Sequence, residues 1–300
     1  MNEILVIGAS NVDTNYYVDK LPVIGGSVHT IAPKRNSLGG KGLNQSVAIA
    51  KAEGIVSFIS CVGNDSNGAL IKESLSAIEN LKPHLEIVDL PTGEATILVD
   101  KNGENEVIVN SGANIKLNID VLKKNAKLFA KAKCLVIQNE MPFDTIKWIF
   151  EHYGESKHIF YNPSPLHDIP EKIYPLIGTL VVNKFELLSL TKANSIKEAI
   201  EVLSMLNLKS VLLTLGSAGS EYYEGNSLIY KAEAEKVNAI DTVGAGDTYL
   251  GYFVAGLSRG LGAIESMNLA TYASALSVTK EGAFASIPTL EEIFEFLENS

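Results

Sequence analysis

Two cysteines in 300 residues leave no disulfide framework and no cysteine-based metal spacing. Cys61 and Cys134 each lie inside an apolar run, 57–62 and 134–137, and read as buried strand positions of a protein kept in a reducing compartment. Positive charge is scarce as well: 25 Lys and Arg stand against 35 Asp and Glu, a formal net charge of −10. Without a basic stripe to neutralise phosphates, a nucleic-acid partner is excluded. No apolar run is long enough to span a membrane, and the chain enters its first strand without a charged leader or cleavage site. A cytoplasmic protein with no membrane partner is the expectation. There is no internal repeat and no low-complexity segment. The turn Gly8-Ala9-Ser10 lacks the second and third glycines of a dinucleotide fingerprint, which disfavours a nicotinamide dehydrogenase.

What is present is a regular alternation. Short apolar runs at 4–7, 57–62, 134–137, 158–161, 179–182 and 211–215 predict strands. Helical patterns lie between them at 44–52, 68–75, 143–152, 184–190 and 195–206. The alternation predicts one α/β domain over 1–300, a parallel sheet covered on both faces, with ligands at the carboxyl ends of its strands. Two stretches break the rhythm. Residues 16–37 show no helical period, and 95–110 read as a hairpin turning at Asn102-Gly103. The hairpin arms, 96–99 and 107–109, are too apolar to stand uncovered.

The stretch that organises the chain is Asp241-Thr242-Val243-Gly244-Ala245-Gly246-Asp247-Thr248, followed by the apolar segment 249–257. Its glycines allow a sharp turn that points N–H groups outward, and the apolar segment reads as a buried helix. A glycine turn feeding a helix N-terminus is an anion site, because unpaired N–H groups and the helix dipole both favour negative charge. Asp247 puts a carboxylate beside it, the arrangement of a base next to a phosphoryl group in transfer. A plain N-cap aspartate is the simpler reading.

A second motif, Leu38-Gly39-Gly40-Lys41-Gly42-Leu43-Asn44-Gln45, sets glycines around one lysine, with a helix expected from Asn44 or Gln45; its spacing is not that of a Walker loop. Asn11 and Asp13, past the first strand, offer donors and acceptors to a polyhydroxylated ligand, for which each buried unpaired hydroxyl costs about 1–3 kcal/mol. Glu140 follows the strand at 134–137. Asn183 and Glu186, three residues apart, share a helix's first turn, where they suit a capping box and, through Glu186, an anchor for the water shell of Mg²⁺, two roles that can coexist. The glycine loop at 214–219 follows another strand and brings backbone close to a ligand.

Together these motifs resemble the ribokinase family of carbohydrate kinases (PfkB type), over nearly the whole chain. The matching pieces are 241–248, the G-G-K-x-x-N of 39–44, the N-x-x-E of 183–186 and Asn162-Pro163-Ser164-Pro165. The resemblance implies a three-layer α/β/α sandwich with a mainly parallel central sheet, and a small β-sheet lid from segments 14–37 and 94–112. It implies an ATP-dependent sugar kinase, D-ribose being the foremost acceptor; deoxyribose, fructose and pseudouridine kinases share the scaffold. A non-catalytic sugar-binding regulator should have lost Asp247, and this chain keeps it. By resemblance Asp247 is the base, and Gly244, Ala245 and Gly246 form the anion hole. Asn11, Asp13, Gly40, Lys41, Asn44, Glu140 and Asp247 would hold the sugar. Asn183, Thr214, Gly216, Ser217, Gly219, Gly246 and Thr271 would hold ATP. Glu186 would orient Mg²⁺ through water, and Asp241, Val243, Ser277, Lys280, Gly282 and Ser286 would cage an activating potassium ion. A homodimer through the lid is implied too. Gly25-Gly26-Ser27 stands where the family usually has Gly-Glu, and Lys280 replaces a frequent Arg.

Overall fold

Successive residues of the first strand enter different cores: Ile4 and Val6 join one apolar cluster, Leu5 and Ile7 the other. That alternation places a sheet between two helical layers. The structure, a computed structural model, describes residues 3–101 and 105–298. In the first half the strands are β1 (Ile4–Ile7), β2 (Asn11–Tyr17), β3 (Arg35–Gly39), β4 (Val56–Gly63), β5 (Leu81–Val88), β6 (Gly93–Val99) and β7 (Asn105–Asn110). In the second they are β8 (Cys134–Gln138), β9 (His158–Asn162), β10 (Thr179–Asn183), β11 (Ser210–Thr214), β12 (Ser220–Glu224) and β13 (Ser227–Ala232). They form a nine-stranded sheet in the order β13-β12-β11-β10-β9-β8-β1-β4-β5 and a four-stranded sheet in the order β3-β2-β6-β7. The large sheet is parallel from β11 to β5; β12 and β13 add an antiparallel edge.

Helices α1 (Lys41–Lys51) and α2 (Ser66–Ser76) cover one face. The other face takes α3 (Ile119–Lys124), α4 (Ala126–Lys131), α5 (Phe143–Tyr153), α6 (Lys184–Thr191) and α7 (Ile196–Met205). The chain then returns to the first face with α8 (Ala245–Ser258), α9 (Ala263–Ser277), α10 (Ala283–Ser286) and α11 (Leu290–Glu298). As its all-round apolar pattern requires, α8 is buried along ten of its residues, including Asp247. The expected strands and helices all occur, most with ends moved by one to three residues. Among these shifts α1, expected from Asn44 or Gln45, is found from Lys41. Gly40, at φ +91°, turns the chain directly into the helix, a backbone state open to glycine at little cost. Cys61 is buried as read, whereas Cys134, at the start of β8, is only half-buried. Both thiols are free, and burial pushes each up to about 12, far from the thiolate. No helix among the described residues is long and apolar enough to cross a membrane.

The two irregular stretches find each other. β2 pairs with β3 antiparallel and with β6 in parallel, and β6 pairs with β7, so the hairpin belongs to a separate lid sheet. The Asn102-Gly103 turn itself lies outside the described residues. Val107, Ile108 and Val109 remain 52%, 66% and 60% exposed, in keeping with arms that need cover. Register separates two residues that composition alone had grouped: Ile97 pairs with Val107 and Ile108 with Thr96, so Ile97 and Ile108 lie on opposite faces.

Candidate active site

The candidate residues collect at the carboxyl ends of the parallel strands, as a doubly covered sheet requires. Beyond β1 come Ser10 and Asn11; beyond β8, Asn139 and Glu140; Asn162, Asn183 and Thr214 end β9, β10 and β11. Helices α1 and α8 point their N-termini at the same place.

Asp247 is the third residue of α8, behind an N-cap Gly244 at φ +80°, and no side chain caps this helix. A Cβ on Gly244 would lie 2.7 Å from that of Ala283, whereas one on Gly246 would meet nothing within 4 Å. The glycine turn is therefore packed on one side and open on the other, the side on which an anion can sit. Asp247 itself is 7% exposed. Asn44 Nδ2 donates to its Oδ2 at 3.2 Å, Gln45 Nε2 donates to its Oδ1 at 2.8 Å, and Lys41 Nζ stands 3.9 Å from Oδ1. Asp247 is the main reason the Lys41 ammonium titrates above its usual range, with Glu140 and Glu186 adding to the effect against the opposing cost of burial. One cation thus serves three acids.

On the lid side, Asp13 packs so tightly on β3 that a Cβ on Gly39 would lie 2.0 Å from its Oδ2. Its Oδ1 is buried without a partner, as is Asn44 Oδ1. Orphaned acceptors cost folding energy, so such a group marks where hydroxyl donors are wanted. Burial pushes Asp13 up to about 6 and Glu140 up to about 7. Glu140 Oε2 accepts the N–H of Lys41 at 2.7 Å, the first residue of α1. Asn11 is oriented from its oxygen end: its Oδ1 accepts from Asn114 Nδ2 at 2.8 Å, which leaves its amide N–H groups for a ligand, and Asn114 also accepts the Ser10 N–H at 3.0 Å. Asn114 carried no sequence signal, standing alone in an irregular stretch.

The expected nucleotide residues meet in one place. Asn183, Thr214, Gly216, Ser217, Gly219, Gly246 and Thr271 all line a cleft of about 440 Å³. Its other walls include Ala234, Val237, Ala239, Ala275 and Val278, small apolar residues whose segments have no telling period. Asn183 and Glu186 do form a capping box: Glu186 N–H donates to Asn183 Oδ1 at 2.8 Å, and Asn183 N–H to Glu186 Oε2 at 2.9 Å. The cap occupies one carboxylate oxygen and leaves the other for a hydrated metal ion, so the site fits Mg²⁺.

Of the residues expected to cage a cation, Asp241, Val243 and Gly282 meet through hydrogen bonds. Asp241 accepts the Val243 N–H on Oδ1 at 3.0 Å and the Gly282 N–H on Oδ2 at 2.9 Å, joining the loop before α8 to the loop after α9. The Ser277 hydroxyl donates to Ser274 O, and that of Ser286 to Ala283 O, so each keeps lone pairs for a hard cation. Lys280 turns its ammonium away, to Glu292 at 2.6 Å. None of the described residues forms a group of three or more His, Cys, Asp and Glu suited to a metal.

Residues 1–290 match the model of the pfkB family carbohydrate kinases. The chain is 32% identical over 300 residues to the ribokinase of Staphylococcus aureus, covering 97% of this chain and 98% of that one. The crystal structure of the ribokinase from Thermotoga maritima superposes with a TM-score of 0.91 at 33% identity, each chain covered in full. That of the ribokinase from Arabidopsis thaliana, complexed with ribose and ATP, superposes with a TM-score of 0.87 at 25% identity, covering 100% of this chain and 99% of that one.

Proposed function

The chain belongs to the pfkB family of carbohydrate kinases, and on that premise we propose that it transfers the terminal phosphoryl group of ATP to the primary hydroxyl of D-ribose. The observation that carries this reading is the position of Asp247, between orphaned acceptors on the lid side and the cleft that Gly246 lines. Ribose as the acceptor is supported by the likeness to ribokinases.

Phosphoryl transfer asks the protein mainly for positioning and electrostatics. Asp13, Asn44 and Glu140 pair the sugar hydroxyls, and Lys41 balances the acids around them. Asp247 takes the proton of the attacking hydroxyl, a step worth typically about 10²–10⁴-fold. As that oxygen bonds to phosphorus, the N–H groups of the Gly244–Gly246 turn meet the charge on the moving group, and ADP leaves with the bonding electron pair. Glu186 would hold magnesium through its water shell, and the ion would supply charge neutralisation for the phosphates. Potassium, held by oxygens of Asp241, Val243, Ser277, Lys280, Gly282 and Ser286, would settle the loop that shapes the anion hole. A coupled ATP-consumption screen over pentoses, hexoses and nucleosides tests the proposal. Ribose should give the highest kcat/KM, and preference for a nucleoside would reject it.

A further inference from the structure

Two glutamines, Gln45 beside Asp247 and Gln138 behind it, are fully buried and have no part in the scheme above. Gln138 Nε2 donates to Gln45 Oε1 at 2.6 Å, and Gln45 Nε2 donates to Asp247 Oδ1 at 2.8 Å. Two primary amides thus stand head to tail, with a donor end on the carboxylate.

The order of the groups decides the outcome. A primary amide has one acceptor end and one donor end. Because Gln138 occupies the acceptor end of Gln45, only the donor end of Gln45 is left for Asp247. The amide of Gln45 also points at Asn162 Oδ1, at 3.5 Å, and Asn162 is fixed by its own bond to Val181 O at 2.9 Å. The chain of amides hangs on α1 and on the ends of β8 and β9, elements that do not flex easily. Close packing holds it in place. A Cβ on Gly251 of α8 would lie 2.3 Å from Ala48 Cβ and 3.0 Å from Gln45 O, so α1 approaches α8 only because that residue is glycine. A Cβ on Gly8 would lie 2.0 Å from Gln138 Oε1.

The two oxygens of Asp247 are consequently unequal. Oδ1 has the short bond from Gln45 and the Lys41 ammonium at 3.9 Å; Oδ2 has the longer Asn44 contact at 3.2 Å. Resting on the sugar-kinase reading, we infer that Gln45 and Gln138 are positioning residues that saturate Oδ1 and reserve Oδ2 of Asp247 for the proton of the acceptor hydroxyl. Gln138 acts only through Gln45. The proton passes from the hydroxyl to Oδ2 as the hydroxyl oxygen bonds to phosphorus.

The test has one arm that needs no substrate. In the full chain labelled with ¹⁵N-glutamine, the Gln45 side-chain protons bonded to a carboxylate should resonate downfield and exchange slowly. Gln138→Met should move them upfield and speed their exchange. If that variant does not fold, Gln138→Glu serves in its place: an ionised carboxylate is an acceptor only and turns the donor end of Gln45 away from Asp247. In the second arm, Gln45→Met should lower kcat about 10- to 100-fold and Gln138→Met about 3- to 30-fold, with KM for sugar and ATP within about threefold. The double variant should be no slower than Gln45→Met, because one chain is broken only once. Additive losses, equal changes in KM and kcat, or an unmoved Gln45 signal in the Gln138 variant would each overturn the relay. If the parent phosphorylates no sugar, the proposed function falls, and the spectroscopic arm alone decides on the relay.

Discussion

Asn44 Nδ2 lies 3.2 Å from Asp247 Oδ2, across 203 residues of sequence. The contact ties the helix that follows the lysine motif to the helix that follows the glycine turn. Neither can shift without moving both the Asn44 amide and the Asp247 carboxylate. The proposed sugar site and anion site are therefore coupled through one hydrogen bond, and substitutions in them should act on distinct kinetic constants.

Asp247→Asn should lower kcat by about a hundredfold or more while sugar affinity stays within a few-fold, because the amide keeps an acceptor for Gln45, Asn44 can turn its Oδ1 to the new N–H₂ group, and the oxygen that would take the proton is lost. Rapid-quench turnover together with calorimetric sugar binding checks both halves. Turnover close to that of the parent would remove Asp247 from the base role.

Asp13→Ala should raise the sugar KM far more than the ATP KM. Its orphaned Oδ1 is an acceptor without a protein partner, and its loss leaves hydroxyls unsatisfied. Equal movement of the two constants would make Asp13 a structural residue of the lid.

Glu140 gives a prediction about stability. Burial pushes its carboxyl from 4.5 up to about 7, so the folded chain holds this proton more tightly than the unfolded chain does. Its contribution to stability is complete below about pH 4.5 and is lost as pH rises through about 7. Glu140→Gln keeps an acceptor for the Lys41 N–H and removes the buried charge. Its Tm should exceed that of the parent by a few degrees at pH 8, with the gap closing towards pH 5, while the sugar KM rises. Calorimetry at the two pH values decides, and a pH-independent gap would deny that ionisation is the cause.

Potassium should activate the enzyme more than sodium at equal ionic strength, since an oxygen cage discriminates by ion size. Asp241→Ala should abolish the difference, because Asp241 joins the Val243 and Gly282 backbones that would form the cage. Equal rates in potassium, sodium and a bulky organic cation would dismiss the site.

A homodimer through the lid is expected to bury the face that bears Ile108, 66% exposed and opposite the face of Asp13. Ile108→Lys should yield a monomer by light scattering, with weaker sugar binding and nearly unchanged ATP affinity. Ile97 shares the face of Asp13, so Ile97→Lys should raise the sugar KM without dissociating the dimer. A dimer that survives Ile108→Lys would place the contact elsewhere.

The sequence by itself determined the layered fold and most of the site's membership. Strands buried on both faces show as continuous apolar runs, as in 4–7 and 134–137, and glycine turns such as 244–246 declare their backbone locally. For that reason all seven expected nucleotide residues line a single cleft. Tertiary structure decided the polar wiring. Asn114 takes the oxygen of Asn11 from 103 residues away, and Gln138 orients Gln45 from 93 residues away. It also decided the faces of Ile97 and Ile108, through strand register, and the start of α1, through a glycine at positive φ. Periodicity and turn chemistry are local and can be read along the chain. Which end of an amide meets which carboxylate depends on helices and strand ends that packing brings together from far apart, and no local pattern encodes that meeting.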